Sequence, residues 1–362
     1  MTPLDEAAQA GLDSDDGRRR TEKASTAHGS GIVRMTQVAA ESGVSVATVS
    51  RYLRGHTVRR ADAIQEAIER LKYRPNAMAR GLRSQTTQAV GVVVHDITNP
   101  FSAAVVSGVQ SVAGPGQYSL YLAGGRTMDM QAMIADVALR VDGIIFAAAT
   151  EGSHAIEALE EAGKPTVLLE FEPSDQPHEF DTVKLDNVGG ARLAVEHLLG
   201  LGHTRIGIVA GPDSISVGRE RLEGALQALT AAGIDLDTIP VEPSDFTTES
   251  GYQATARLMG RAEAPTAIFT PNNTTSLGCL QCLHDLAVAI PERLSFVGFD
   301  PLPSCDLLHP PPTTIDRPEV EQGVLAMRML ENRMAGRGTS AARRVVLETR
   351  LVVRGSSAPP PA

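Results

Sequence analysis

The sequence predicts two folds in one chain: an N-terminal all-α helix-turn-helix headpiece, then a two-lobed α/β core whose parallel sheets carry helices on both faces. Three observations predict this. Residues 36–53 read as two short helices around a glycine turn, the chain from residue 88 alternates apolar strands with amphipathic helices, and charge is divided between the two regions. Hydrophobic residues make up 42% and charged residues 21% of 362, which describes a soluble globular chain too long for one small core. The formal net charge is −10, yet residues 34–84 carry ten Lys and Arg against four Asp and Glu, leaving 23 against 39 elsewhere. A basic module on an acidic body is the footprint of a chain of which one part meets phosphate.

Residues 1–33 are rich in Asp, Arg, Ala, Ser and Thr without periodicity and read as a disordered N-terminal extension. The headpiece spans 34–74. Val38 and Ala39 are inward positions of its first helix, and Gly43 falls where the turn needs φ > 0. Ser45 can cap the second helix through its hydroxyl. Val49 and Leu53, four apart, bury against the first helix, leaving Val46, Ala47, Ser50 and Arg51 toward solvent or DNA. An ordinary helical hairpin would share the Ala/Gly contact, so these residues alone leave that reading open. Ala61–Lys72 forms a third helix with Ile64, Ile68 and Leu71 on one face. Residues 75–87 read as a hinge helix or linker. Pro75 suits a helix start, but Gly81 costs about 1 kcal/mol relative to Ala, so the segment is marginal until something supports it.

The core spans 88–354. Its strands are read at 89–94, 118–123, 141–147, 165–169, 205–210, 267–270 and 294–299. Helices are read at 102–113, 129–139, 153–162, 188–200, 219–232, 249–260 and 274–287. Such alternation implies mostly parallel sheets, two lobes around a cleft, and ligands at the carboxyl ends of strands. Residues 355–362, Ser/Pro/Ala in character and without heptads, read as a disordered tail.

Enzyme signatures are missing where a doubly wound fold would place them. No strand is followed by G-x-G-x-x-G, and G-x-x-x-x-G-K-[ST] and G-x-S-x-G do not occur. The reading is therefore not an enzyme, with no cofactor and no metal. His197 and His203 flank a helix end, where capping or packing is the expected role. Cys279 and Cys282 form a C-x-x-C inside what reads as a buried helix, which points to packing rather than metal or redox chemistry. Three cysteines cannot build a disulfide framework, so a reducing compartment is expected. Without an apolar N-terminal region or a run approaching eighteen apolar residues, the expectation is a cytoplasmic protein with no membrane partner.

Ordered motifs extend across the chain: Val38-Ala39, Gly43-Val44-Ser45, Thr48-Val49-Ser50-Arg51, Tyr73-x-Pro75-Asn76-x-x-Ala79-x-x-Leu82, Asn99-Pro100-Phe101, Val141-Asp142-Gly143, Arg219-x-Arg221 and Val297-Gly298-Phe299-Asp300. On these residues the chain, from about 34 to 354, resembles the lactose-repressor (LacI/GalR) family of bacterial transcription regulators. The resemblance implies a homodimer in which each headpiece reads one half of a pseudo-palindromic operator in double-stranded DNA. It places Val46, Ala47 and Arg51 at base edges. Arg51 can fork onto guanine O6 and N7, whereas Val46 and Ala47 offer only apolar contact. Thr48 and Ser50 suit phosphate, which sets register. In the family, paired hinge segments enter the minor groove and a leucine wedges the central step. Leu82 holds that position, and Asn76 and Ala79 lie in the same matched segment.

The resemblance also implies a periplasmic-binding-protein-like core with an effector between its lobes. Position by position, Asn99, Phe101 and Glu170 would line the first lobe. Arg221 matches a ligand-gripping arginine, Phe246 a stacking ring, and Asn272 and Asp300 end strands of the second lobe, where a capping or turn role is the alternative. Some positions depart from the family pattern. Arg317 stands where Gln is usual, Val217 where a polar residue is often seen, and Asn272-Asn273 where Asn-Asp is usual. Arg317 opens the possibility of an acidic or phosphorylated ligand. The implied function is a repressor whose operator binding is controlled by a small molecule, a sugar or sugar derivative. The alternatives are a co-repressed regulator with a nucleobase-type or sugar-phosphate effector, or a solute-binding protein with no DNA role. The last would need a signal peptide and no headpiece. Without a heptad tail for tetramers, a dimer is expected.

Overall fold

In the computed structural model the described residues are 33–53, 55–73, 86–114, 117–125, 129–148, 153–170, 179–337 and 341–361. The chain divides near residue 76 into a headpiece unit and a core unit. The expected N-terminal extension, up to residue 32, and residues 74–85, which take in most of the expected hinge at 75–87, lie outside the described residues.

Among the described residues the headpiece has three helices, α1 (Met35–Ser42), α2 (Val46–Tyr52) and α3 (Ala61–Leu71). Gly43 ends α1 at φ 64°, and the Val44 N–H returns to the Ala39 carbonyl at 3.1 Å. Ser45 Oγ accepts the Thr48 N–H at 3.2 Å, the cap expected of it. Val38, Ala39, Val49, Ile64, Ala67 and Tyr73 form the buried cluster. Ile68, Leu71 and Leu53 pack on it less completely, and so does Val46, which stays half-exposed.

The core contains two six-stranded sheets. The first runs β11-β5-β4-β3-β1-β2 and is parallel throughout. Its strands are β1 (Ala89–Val94), β2 (Ser119–Gly124), β3 (Gly143–Ala147), β4 (Thr166–Leu169), β5 (Asp181–Leu185) and β11 (Arg344–Leu347). The helices α4 (Pro100–Ala113) and α11 (Glu319–Met334) pack on one face, α5 (Met130–Ala138) and α6 (Ser153–Ala162) on the other. The second sheet runs β12-β10-β9-β8-β6-β7, parallel except for the β10/β12 edge pair. It consists of β6 (Ile206–Ala210), β7 (Val241–Pro243), β8 (Ala267–Thr270), β9 (Ser295–Phe299), β10 (Thr313–Asp316) and β12 (Arg350–Val352). Here α7 (Asn187–Gly200) and α8 (Ser216–Ala231) cover one face, α9 (Thr248–Met259) and α10 (Asn273–Asp285) the other.

Continuous apolar strands such as Val90–Val94 and Ile206–Ala210 are what a sheet covered on both faces requires. The chain passes between the sheets three times, from β5 into α7, from β10 into α11, and from β11 into β12. All three passages are short, so the lobes share a three-strand hinge beneath the cleft.

The tail departs from expectation, because residues 355–361 are not a disordered appendage. Ser356 is buried, with its carbonyl accepting the Phe296 N–H at 2.8 Å and its hydroxyl accepting the Thr313 N–H at 2.7 Å. His203 Nε2 meets the Ala358 carbonyl at 2.8 Å and Nδ1 meets Thr266 Oγ1 at 2.9 Å, a packing role for a histidine whose burial lowers its pKa. Cys279 and Cys282 are buried on α10, and burial pushes the Cys279 thiol up to about 12, far from a reactive thiolate.

Candidate functional site

Two features bear on function, each within its own unit. In the headpiece, Ala47 and Arg51 are exposed one turn apart on α2. Thr48 and Ser50 are half-buried, with Thr48 Oγ1 2.9 Å from Ser45 Oγ. α2 thus presents one long cation beside a methyl, held by a helix whose opposite side is anchored through Val49. Asn76, Ala79 and Leu82 lie outside the described residues.

In the core, a cavity of about 290 Å³ opens at the carboxyl ends of the strands, between the two lobes. All eight expected effector positions line it. Asn99 follows β1 and caps α4, its Oδ1 accepting the Phe101 N–H at 3.0 Å. The same oxygen takes a hydrogen bond from Asn273 Nδ2 of the other lobe at 3.1 Å. Phe101 lies in the first turn of α4, and Arg317, on the passage from β10 to α11, stacks its guanidinium over the ring with Cζ 4.0 Å from the centroid. Glu170 and Asp300 end β4 and β9. Arg317 joins them across the lobes, Nη1 to Glu170 at 3.0 Å and Nε to Asp300 Oδ1 at 3.1 Å. The second contact lacks hydrogen-bond alignment, so Asp300 Oδ1 is a buried acceptor still without a hydrogen bond.

Arg221, on α8, is more deeply buried than Arg317. Its Nε donates to Asn187 Oδ1 at 3.0 Å and its Nη1 to the Pro271 carbonyl at 2.5 Å, with Asp300 at 3.4 Å and the Phe299 ring beneath it at 3.7 Å. Burial lowers its pKa, and Asp300 opposes that shift. For Arg317 burial pulls the same way but is outweighed by Asp300, Glu170 and Glu319, and the pKa rises. Burial also raises Glu319 against the pull of Arg317.

Phe246 and Asn272 complete the second-lobe wall. Asn272 caps α10, accepting the Thr275 N–H at 2.9 Å, so the capping role and the cavity-lining position coincide. The Phe246 ring lies against Gly211, where a Cβ would come within 2.5 Å of it. Three lining residues, Glu170, Phe246 and Asp300, have φ of 65°, 63° and 70° without being glycine. Strain concentrated on one cavity is what functional sites show. The sequence reading missed His95, Asp96, Asp245 and Thr274, which also line the cavity, and noted Val217 only as a departure. The strand-end rule could have found His95 and Asp96, which follow β1 directly. Asp245 follows β7, a three-residue strand containing Pro243 that no alternation announces.

A helix-turn-helix headpiece with a two-lobed, periplasmic-binding-protein-like core defines a class of transcriptional regulators, not enzymes. Residues 34–76 match the family model for bacterial regulatory proteins of the lacI family, and 195–357 match that for the periplasmic binding protein-like domain. The chain belongs to the LacI family. It is 34% identical to the HTH-type transcriptional regulator CelR of Thermobifida fusca over 89% of this chain and 97% of that protein. Among solved structures it resembles a CelR–cellobiose complex, with 32% identity, 90% of this chain and 99% of that chain covered, and a TM-score of 0.69. It also resembles the lac repressor dimer bound to operator and the anti-inducer ONPF, with 26% identity, the same coverage and a TM-score of 0.80. Among the described residues no helix is long and apolar enough to cross a membrane.

Proposed function

We propose that the chain is a cytoplasmic, homodimeric repressor whose two headpieces each read half of a pseudo-palindromic operator, and whose operator affinity is set by a small uncharged sugar held between the core lobes. The observation that carries this reading is the convergence of eight separately expected residues, from both lobes and the β10–α11 passage, on one cavity that combines polar side chains with the aromatic rings of Phe101 and Phe246. A sugar hydroxyl supplies the donor that Asp300 Oδ1 lacks, the Asn99 and Asn272 amides offer further polar contacts, and Phe246 faces an apolar side of the ring. The similarity to a cellobiose complex and to an operator-bound dimer supports both halves of the reading.

In the headpiece, Arg51 forks onto guanine while Ala47 accepts a thymine methyl. Thr48 and Ser50 hold phosphate, and residues 75–87, with Asn76, Ala79 and Leu82, enter the minor groove. Effector and operator are coupled through the shared hinge by about 1–3 kcal/mol, and the coupling is reciprocal. The test is fluorescence anisotropy with duplexes from the gene's own upstream region, titrated with a panel of neutral sugars. The expected result is salt-dependent, sequence-selective binding that at least one sugar changes by about 5-fold or more. Equal affinity for scrambled duplexes, unaffected by every sugar, overturns the reading.

A further inference from the structure

By residue type Arg317 opens the possibility of an acidic or phosphorylated ligand, and its surroundings argue the reverse. Its guanidinium is committed: Nη1 to Glu170 at 3.0 Å, Nε to Asp300 at 3.1 Å and Glu319 at 3.4 Å, one face against Phe101. Arg221 is committed likewise, to Asp300, Asn187 and the Pro271 carbonyl. On the cavity floor two buried cations therefore face two buried carboxylates, and the balance is even. The rim tips it negative, through half-buried Asp96 and exposed Asp245. Among the described residues lining the cavity each arginine is already charge-paired with a carboxylate, and the two rim carboxylates add negative charge that disfavours a phosphate.

We propose that Arg317 is the specificity determinant for ligand charge: by neutralising Glu170 and Asp300 it fits the cleft to an uncharged polyol, and without it the same cleft takes a polyol bearing an ammonium group. This rests on the effector-binding role of the cleft. The geometry gives the reason. Removing the guanidinium leaves Asp300 with Arg221, but leaves Glu170, among the described residues, with only the Gln322 amide as a side-chain hydrogen-bond donor. A buried carboxylate in that position either takes a proton or recruits a cation.

The experiment uses the full chain as wild type, Arg317→Gln and Arg317→Lys, with two measurements. Calorimetry compares glucose, glucosamine and glucose 6-phosphate, and the matched galactose series. Wild type takes a neutral member and rejects both phosphates. R317Q shifts its preference toward the amino sugar by about tenfold, the effect of one charge contact worth a pKa unit. R317K keeps the wild-type order. Wild type preferring a phosphate, or R317Q keeping the wild-type ratio, overturns the proposal.

Thermal unfolding without ligand is the second measurement. The groups facing Arg317 are Glu170, Asp300, Glu319, Arg221 and Gln322. In R317Q the buried Glu170 carboxylate has lost its cation, so ionising it costs stability and the cost appears as pH rises. The Tm deficit of R317Q is therefore larger at pH 8 than at pH 5, and Glu170→Gln in that background removes the difference. An equal deficit at both pH values overturns the proposal. If no neutral sugar binds wild type, the sugar reading falls, and the unfolding measurement still decides the role of Arg317.

Discussion

The reading helix and the effector cleft handle charge in opposite ways. On α2, Arg51 stands in water, on a helix held by apolar contacts of its other face. In the cleft, the side chains of Arg221 and Arg317 are buried, stacked on Phe299 and Phe101 and paired with carboxylates. A group that meets phosphate and base edges must remain available, and hydration screens it until then. The cleft guanidiniums are fixed in place instead, and burial makes each of them part of the fold. The headpiece can therefore lose its specificity without losing its structure, while the cleft cannot.

The largest expected effect tests that difference directly. Arg221→Ala leaves Asp300 poorly compensated and Asn187 without its donor, and is expected to lower stability by about 3–5 kcal/mol in chemical denaturation. A loss below about 1 kcal/mol would mean the cleft is wetter and looser than its contacts imply. Arg51→Ala is the complement. Its stability change stays within about 0.5 kcal/mol, while operator selectivity falls by about 1–3 kcal/mol in competition binding. An unfolded R51A protein would break the comparison.

Asp181 extends the same principle to a site away from any ligand. Burial alone would raise its pKa, but hydrogen bonds from Arg333 and Arg343 hold it at about 2, below the ordinary 3.8. A depressed carboxyl stabilises the fold above its unfolded value and loses that contribution as pH falls from near 4 toward 2. Acid titration of unfolding should show about 1–2 kcal/mol lost across that window, and Asp181→Asn should flatten it. The smallest effect belongs to the headpiece cap. Ser45→Ala removes the acceptor of the Thr48 N–H and should cost about 1 kcal/mol of headpiece stability, read by amide exchange in residues 46–52.

Much of this was legible in the residues. Gly43, Ser45 and Val49 announce the headpiece because each does a local job that few other residues do as well. The strands from Ala89 to Thr166 announce themselves through apolar runs bounded by helical periodicity. Legibility fails where structure depends on distant partners. β5, β10, β11 and β12 are short and serve as hinge or edge strands, so their pairing is set by the two sheets and not by their own pattern. α11 escaped the reading although Ala326, Met327 and Leu330 bury one side of it, because Pro318 and the hinge before it mask its start. In the cleft, residue types were readable but their pairing was not. Arg317 looked like an uncommitted cation until the fold brought Glu170 and Asp300, 147 and 17 positions away in sequence, to its guanidinium.

The three passages between lobes have a consequence for how the gene can be divided. The first sheet takes β11 and α11 from beyond residue 318, after the chain has already built most of the second sheet. Neither lobe is therefore encoded by an unbroken stretch, and a truncation that ends the chain after β5 also strips the first lobe of an edge strand and of the helix that covers Val92 and Val167. The headpiece can be exchanged at a single junction near residue 76, but the core is inherited or lost as a whole.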